Sequence, residues 1–134
     1  RLAAMRVLVD DLFAYARAAD PSWAPELVPC DLQLAVADAL AARYEEFAAR
    51  GWEPEVLLAD AEPALAAPDA LDRVVANLLD NALAHGSGAP TVRVDGATLA
   101  VENPVGRRGR ARRGDGGELF RWRHARAAAL LGAS

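Results

Sequence analysis

Two asparagines, Asn77 and Asn81, are the residues whose type and spacing most clearly suggest chemistry. A separation of four positions in a helix places both side chains on one face, one turn apart. Asparagine is a poor helix former, about 0.5 kcal/mol worse than alanine, so the pair calls for an explanation. Two amide oxygens so placed suit a hydrated magnesium ion that is shared with the phosphates of a substrate. The alternative is a solvated polar stripe on an amphipathic helix.

The segment that carries the pair has the period of a helix. Asp69, which follows Pro68, is the expected N-cap, and His85-Gly86 is the expected end. Apolar residues recur at steps of three and four between these signals: Leu71, Val74, Val75, Leu78, Leu79 and Ala82. The sequence therefore predicts an amphipathic helix with both asparagines on the side opposite its apolar stripe.

The sequence NLLDNA at residues 77–82, closed by His85 and a Gly/Ser turn, resembles the N-box of sensor histidine kinases of two-component systems. The resemblance implies an ATP-binding catalytic domain with ATP and Mg²⁺ as cofactors. It implies transfer of the ATP γ-phosphoryl to a histidine upstream of this fragment, and then to an aspartate of a response regulator receiver domain. That receiver domain is the implied partner.

The resemblance also assigns roles to single residues of the helix. Asn81 matches the magnesium ligand of the nucleotide site, and Asn77 matches the catalytic asparagine that holds phosphate or metal-bound water. His85 matches a contact to ribose or phosphate, although an imidazole near the negative end of a helix dipole would also be favourable there. Ala84 stands where the family often has a basic residue, so one phosphate contact is missing.

Further nucleotide contacts are implied downstream of the helix. Asn103 stands where the family has an aspartate that accepts from the adenine amino group, and a side-chain amide oxygen can accept the same bond. Gly106 follows it, and the lid over the nucleotide is expected at about residues 104–118. Gly114 and Gly116 keep part of the family's glycine-rich box. Five arginines in this stretch are either phosphate clamps or a solvated run: Arg107, Arg108, Arg110, Arg112 and Arg113.

Composition restricts the class of protein. With 134 residues, 53% hydrophobic and 25% charged, the chain is typical of one soluble globular domain. Residues 1–106 carry a net charge of −10 and residues 107–134 a net charge of +6, so the acidic body argues against nucleic-acid binding. A single cysteine, Cys30, excludes an internal disulfide. No apolar run is long enough to span a bilayer, so we expect a cytoplasmic location, with inner-membrane anchoring of the full-length protein left open.

Residues 1–19 are predicted to form a helix. Its apolar residues have the spacing of a coiled-coil stripe: Leu2, Met5, Val9, Leu12, Ala16 and Ala19. The resemblance identifies residues 1–20 as the C-terminal part of the dimerisation helix and implies a homodimer through residues 1–19. The alternative is a helix that packs on its own domain. Residues 21–30, with three prolines, are a linker that holds a short strand at residues 26–28.

The remaining elements complete the fold prediction. Asp31 is expected to cap a helix that runs to about Arg50 and ends at Gly51. Further elements follow at residues 55–59 (a buried strand), 64–66 (a strand), 91–103 (a hairpin with its turn at Asp95-Gly96), 106–117 (a loop without regular structure) and 119–131 (a helix). We therefore expect an α/β (α+β) two-layer sandwich with a mixed sheet and helices on one face. The resemblance makes residues 31–134 an incomplete ATP-binding domain, truncated like the preceding helix.

Two other functions are consistent with the sequence. An anti-sigma-factor serine kinase belongs to the same ATPase superfamily, but it would lack a leading dimerisation helix. A degenerate nucleotide-binding or interaction module without catalysis would fit Ala84, Asn103 and the incomplete glycine box.

Overall fold

The computed structural model describes residues 2–59 and 62–106. Strands and helices are interleaved along these residues. The elements, in chain order, are β1 (Leu2–Leu8), α1 (Val9–Ala19), β2 (Val28–Cys30), α2 (Leu32–Ala42), α3 (Tyr44–Ala49), β3 (Glu55–Ala59), β4 (Ala64–Ala66), α4 (Pro68–His85), β5 (Thr91–Asp95) and β6 (Thr98–Pro104).

The main sheet is mixed, with strand order β1-β6-β5-β3. The β3 and β5 strands are parallel, whereas β5 with β6 and β6 with β1 are antiparallel. A second sheet consists of β2 and β4, paired antiparallel. Helix α4 contacts β6, α2 packs along α4, and α1 packs against β4. This arrangement confirms the predicted mixed α/β fold.

Helix α4 forms the centre of the hydrophobic core. All six residues of its predicted apolar stripe are buried, and Ala70 and Leu83 are buried with them. The predicted N-cap is wrong by two positions, because Ala67 takes the cap position and Pro68 begins the helix. Proline is favourable in this first position because its missing N–H would have no partner within the helix. Asp69 instead lies in the first turn, where its negative charge favours the helix dipole.

The predicted helix over residues 1–19 is wrong in its first half. Leu2–Leu8 form β1, which pairs with β6 in a continuous register from Leu2 opposite Pro104 to Leu8 opposite Thr98. This pairing satisfies the backbone groups along one whole edge of β6, which a helix at this place could not do. Seven residues are too short a stretch for apolar spacing alone to distinguish a helix from a strand.

The apolar stripe of residues 1–19 lies mostly within this chain's own core. Met5, Val9 and Leu12 are buried there together with Phe13, whereas Leu2 is 67% exposed. The N–H of Val9 also donates to the carbonyl of Ala97 at 2.9 Å, which joins the start of α1 to the β5–β6 turn. The apolar stripe therefore packs within this chain, which is the alternative that the sequence left open. The homodimer stays a prediction.

The helix predicted from Asp31 to Arg50 is interrupted at Arg43, which separates α2 from α3. The Asp31 cap is confirmed, because its carboxylate accepts from the N–H groups of Gln33 and Leu34. The end at Gly51 is confirmed by its φ of +70°. The expected single apolar face is wrong. The interruption shifts the helical phase, so Leu32 and Val36 are the buried residues of α2, while two of the expected members, Leu34 and Tyr44, are 59% and 71% exposed.

Strand positions are confirmed at Glu55–Ala59, Ala64–Ala66 and the hairpin of β5 and β6. The prediction that Glu55–Ala59 is buried is wrong, because all five residues are exposed. This strand is at the end of the sheet and has β5 as its one neighbour there. The linker strand lies at Val28–Cys30, two residues later than expected at each end, because it pairs with β4.

Candidate functional site

Asn77 and Asn81 are both half-buried on α4, next to the buried apolar stripe. Their side chains therefore lie at the border between the core and the solvent-facing side of the helix. The predicted position on the side opposite the stripe is wrong, because both residues are partly covered. The Asn81 Nδ2 atom donates a hydrogen bond to the Sδ atom of Met5 at 3.0 Å. This contact joins α4 to β1 and directs Asn81 towards the β1 end of the sheet.

Asn103 is brought against the C-terminal end of the same helix. It is a buried polar residue, 4% exposed, near the end of β6. Its Nδ2 donates to the carbonyl of Pro104 at 3.3 Å, and the N–H of Ser87 donates to that carbonyl at 2.8 Å. A β-carbon on Gly86 would lie only 2.9 Å from Nδ2 of Asn103. The Asn103 side chain, the carbonyl of Pro104 and the turn at Gly86 and Ser87 therefore lie together where α4 and β6 end.

The other predicted site residues are at the margin of this region or beyond it. His85 is exposed in the last turn of α4, and Gly106 is exposed two residues after β6. Gly114 and Gly116 lie outside the described residues, as do the arginine cluster, most of the predicted loop and the predicted last helix.

An ion pair next to the asparagines was not predicted from the sequence. The Arg43 guanidinium donates from Nε to Oδ1 of Asp80 at 2.7 Å and from a terminal nitrogen to Oδ2 at 3.2 Å. It also donates to the carbonyl of Ala39 at 3.0 Å. The Arg43 side chain is 15% exposed, and its hydrogen bond to Asp80 raises the pKa of the guanidinium. The partners are 37 positions apart, so no local spacing could have indicated that they meet.

An open groove lies on a different part of the surface, between α2, α3 and the turn before β3. Its volume is about 500 Å³, and three aromatic side chains line it: Tyr44, Phe47 and Trp52. Arg50 lies over the Trp52 ring at 5.5 Å. None of the predicted site residues lines this groove.

The donors at the α4 and β6 junction are amides rather than a cluster of acids. Among residues 2–59 and 62–106 there is no group of three or more His, Cys, Asp or Glu side chains able to hold a metal ion. Neutral amide oxygens in a half-buried position suit a magnesium ion that keeps waters and takes its charged ligands from phosphates. In the same part of the chain, no helix has the length and apolarity that a membrane crossing requires.

No protein-family model matches the sequence, and no curated protein matches it significantly. The solved structures that are similar to this one include AdeS and QseC. Both are histidine kinases. The histidine kinase AdeS of Acinetobacter baumannii is 19% identical, with a TM-score of 0.49 over 63% of this chain and 42% of that chain. The cytoplasmic segment of the histidine kinase QseC is 18% identical, with a TM-score of 0.41 over 63% of this chain and 61% of that one.

The chain therefore spans less than two thirds of the length of either structure.

Proposed function

We propose that this chain is the nucleotide-binding region of a sensor histidine kinase and binds magnesium-ATP where α4 meets the end of β6. The observation that carries the proposal is the contact of Asn103 with the end of the helix that bears Asn77 and Asn81. The resemblance gives the first residue to adenine and the other two to the metal and phosphates. Their positions on two joined elements support that division.

The amide oxygens of Asn77 and Asn81 are the groups that would hold the magnesium ion. When bound, the ion would neutralise the triphosphate and align its terminal phosphoryl group for in-line transfer. The α4 helix supplies the two amides on a rigid element whose apolar stripe is fixed in the core. Such a rigid scaffold limits the freedom that the two side chains must lose when ligand binds.

Asn103 supplies the proposed contact to adenine. Its Nδ2 is engaged by the carbonyl of Pro104, so the oxygen of the same amide is the atom available to accept from the adenine amino group. Asn103 is neutral, unlike the family's aspartate, and a neutral group costs less to bury without a cation nearby. The buried position of Asn103 is consistent with this exchange.

The proposal also includes a phosphoryl acceptor, which would lie on another segment of the protein. We propose a histidine as the acceptor, followed by the aspartate of a response regulator receiver domain, and a kinase that works as a homodimer. The predicted leading helix argued against an anti-sigma-factor serine kinase. That argument is weaker, because Leu2–Leu8 form a strand rather than part of a leading helix.

A second candidate function is nucleotide binding without phosphoryl transfer. Ala84 favours it, because this exposed residue in the last turn of α4 has no side chain that could contact a phosphate. A site without that contact would still bind the adenine and magnesium ends of the nucleotide.

Binding of a fluorescent ATP analogue to the full 134-residue chain tests the proposed site. We expect saturable binding that requires Mg²⁺ and that excess ADP competes away. Asn103→Asp should keep binding and Asn103→Leu should lose most of it, because leucine cannot accept a hydrogen bond. Equal binding by these two variants, or none by the parent, would overturn the proposal. Transfer of labelled γ-phosphoryl to a histidine-bearing helix supplied in trans distinguishes the kinase from the non-catalytic candidate.

A further inference from the structure

We infer that Met5 is a positioning residue that fixes the amide of Asn81 with its oxygen directed away from β1, towards bound magnesium. The inference rests on the proposed function and identifies a residue that the resemblance does not assign. Met5 lies in β1. Met5 is the buried residue of that strand, opposite Val101 of β6, and it belongs to the same core as the apolar stripe of α4.

The chemistry of sulfur decides the orientation of the amide. A thioether has no proton to donate, so it can only accept a hydrogen bond. The group 3.0 Å from Sδ of Met5 must therefore be the NH₂ end of Asn81 and not its oxygen. Since the amide is planar, Oδ1 lies on the side away from the sulfur. An asparagine without such a partner could present either end to a ligand.

The cation needs one particular end of that amide. Magnesium takes oxygen ligands and requires near-ideal geometry, so an amide turned by 180° would present an NH₂ group that cannot ligate it. The contact with Met5 excludes the turned form before ligand arrives. Partners of this kind, which hold a ligand group without touching the metal, typically contribute 10- to 100-fold to metal affinity. A thioether is a weak acceptor, so we expect about the lower end of that range.

Burial makes Met5 suited to this task. It is 8% exposed, so its sulfur is largely shielded from water. The same strand places Ala3 directly opposite Asn103 in the β1–β6 register. The β1 strand thus lies beside both the proposed adenine contact and the proposed metal ligand. The distances along the sequence would not indicate this proximity.

The role of the Met5 sulfur can be tested by exchanging that atom, because Met5 is the one methionine of the chain. Norleucine in place of Met5 exchanges the sulfur for a methylene, whereas selenomethionine keeps an acceptor of similar size. Each form of the full chain is titrated with a fluorescent ATP analogue, once with Mg²⁺ and once with EDTA. Thermal unfolding and the ¹⁵N–¹H signals of the Asn81 side chain are measured on the same samples.

We expect norleucine to weaken the magnesium-dependent affinity about tenfold and to shift the Asn81 side-chain signals. Selenomethionine should retain the parental affinity, and binding in EDTA should be equal in all three forms. A merely structural role would change unfolding and both affinities together. Parental affinity in the norleucine form would overturn the role of Met5 alone. Failure of the parent to bind nucleotide with Mg²⁺ would overturn the proposed function as well, and the two failures are distinct.

Discussion

Gly86 and Asn103 approach each other so closely that only a residue without a side chain fits at position 86. A β-carbon there would lie 2.9 Å from Nδ2 of Asn103 and 2.6 Å from the carbonyl oxygen of Ala82. Gly86 has a φ of −77°, which any residue adopts, so backbone conformation is not the reason for glycine. The reason is the lack of space between the carbonyl of Ala82, which is the nearer obstacle, and the side chain of Asn103.

Gly86→Ala is therefore expected to destabilise the fold and displace Asn103. We expect a loss of about 1–3 kcal/mol in the free energy of unfolding, as for other overpacked positions. Chemical denaturation measures it. Gly106→Ala is the matched control, because a β-carbon at Gly106 would meet nothing within 4 Å. Equal stability of the two variants would contradict the close approach.

Asn81→Ala is expected to lose magnesium-dependent nucleotide affinity while the fold persists. The side chain is half-buried and lies beside the core stripe rather than in it, so truncation leaves the packing of α4 in place. We expect a loss of at least about tenfold, and a milder one for Asn77→Ala. Titration with a fluorescent ATP analogue measures both. Asp72→Ala, at an exposed position of the same helix, is the control, and parental affinity in Asn81→Ala would count decisively against the site.

The Arg43–Asp80 ion pair is expected to couple α2 to α4. Both of its hydrogen bonds use one planar guanidinium, and Arg43 is largely shielded, whereas Asp80 is 56% exposed. A double-mutant cycle with Arg43→Met and Asp80→Ala should give a coupling of about 1 kcal/mol, the upper end for exposed pairs. The Arg93–Glu102 pair, whose arginine is more exposed, should give less. A coupling near zero for the first pair would mean that packing alone holds the two helices.

Leu12→Asp is expected to unfold the domain. Leu12 is 7% exposed within the core, and a carboxylate there would lose both the packing and its hydration. Removal of a buried leucine alone typically costs about 2–5 kcal/mol. Ala14→Asp, on the exposed side of α1, is the control and should remain folded. Circular dichroism with light scattering measures both. A folded Leu12→Asp monomer derived from a parental dimer would instead support the predicted self-association through residues 1–19.

Cys30 is expected to react slowly with alkylating reagents near neutral pH. Burial raises the pKa of its thiol, and the negative charge of Asp72 raises it further. Since the folded state holds this proton more tightly than the unfolded state, the contribution to stability is full below the unfolded pKa and declines as pH rises through the folded pKa. Alkylation rates over an alkaline pH series should therefore keep rising beyond the range of an unfolded control peptide. A profile identical to that of the peptide would contradict the shift.

The sequence by itself determined the centre of the molecule. The α4 stripe, the end of that helix, the Asp31 cap and the β5–β6 hairpin follow from short-range rules, because each depends on residues within a few positions of one another. These parts were predicted correctly, apart from the first turn of α4. Asn77 and Asn81, which the sequence placed on the side of the helix opposite the stripe, are instead half-buried beside it.

Only the tertiary structure decided what depends on distant partners. Residues 2–8 form a strand because the edge of β6 is open to them, and their own apolar spacing fits a helix equally well. Glu55–Ala59 are exposed because their strand ends the sheet, although their composition suits a buried strand. The contacts of Asn81 with Met5 and of Arg43 with Asp80 span 76 and 37 positions. Local propensity carries no information about such pairs, because the chain must first fold before their side chains meet.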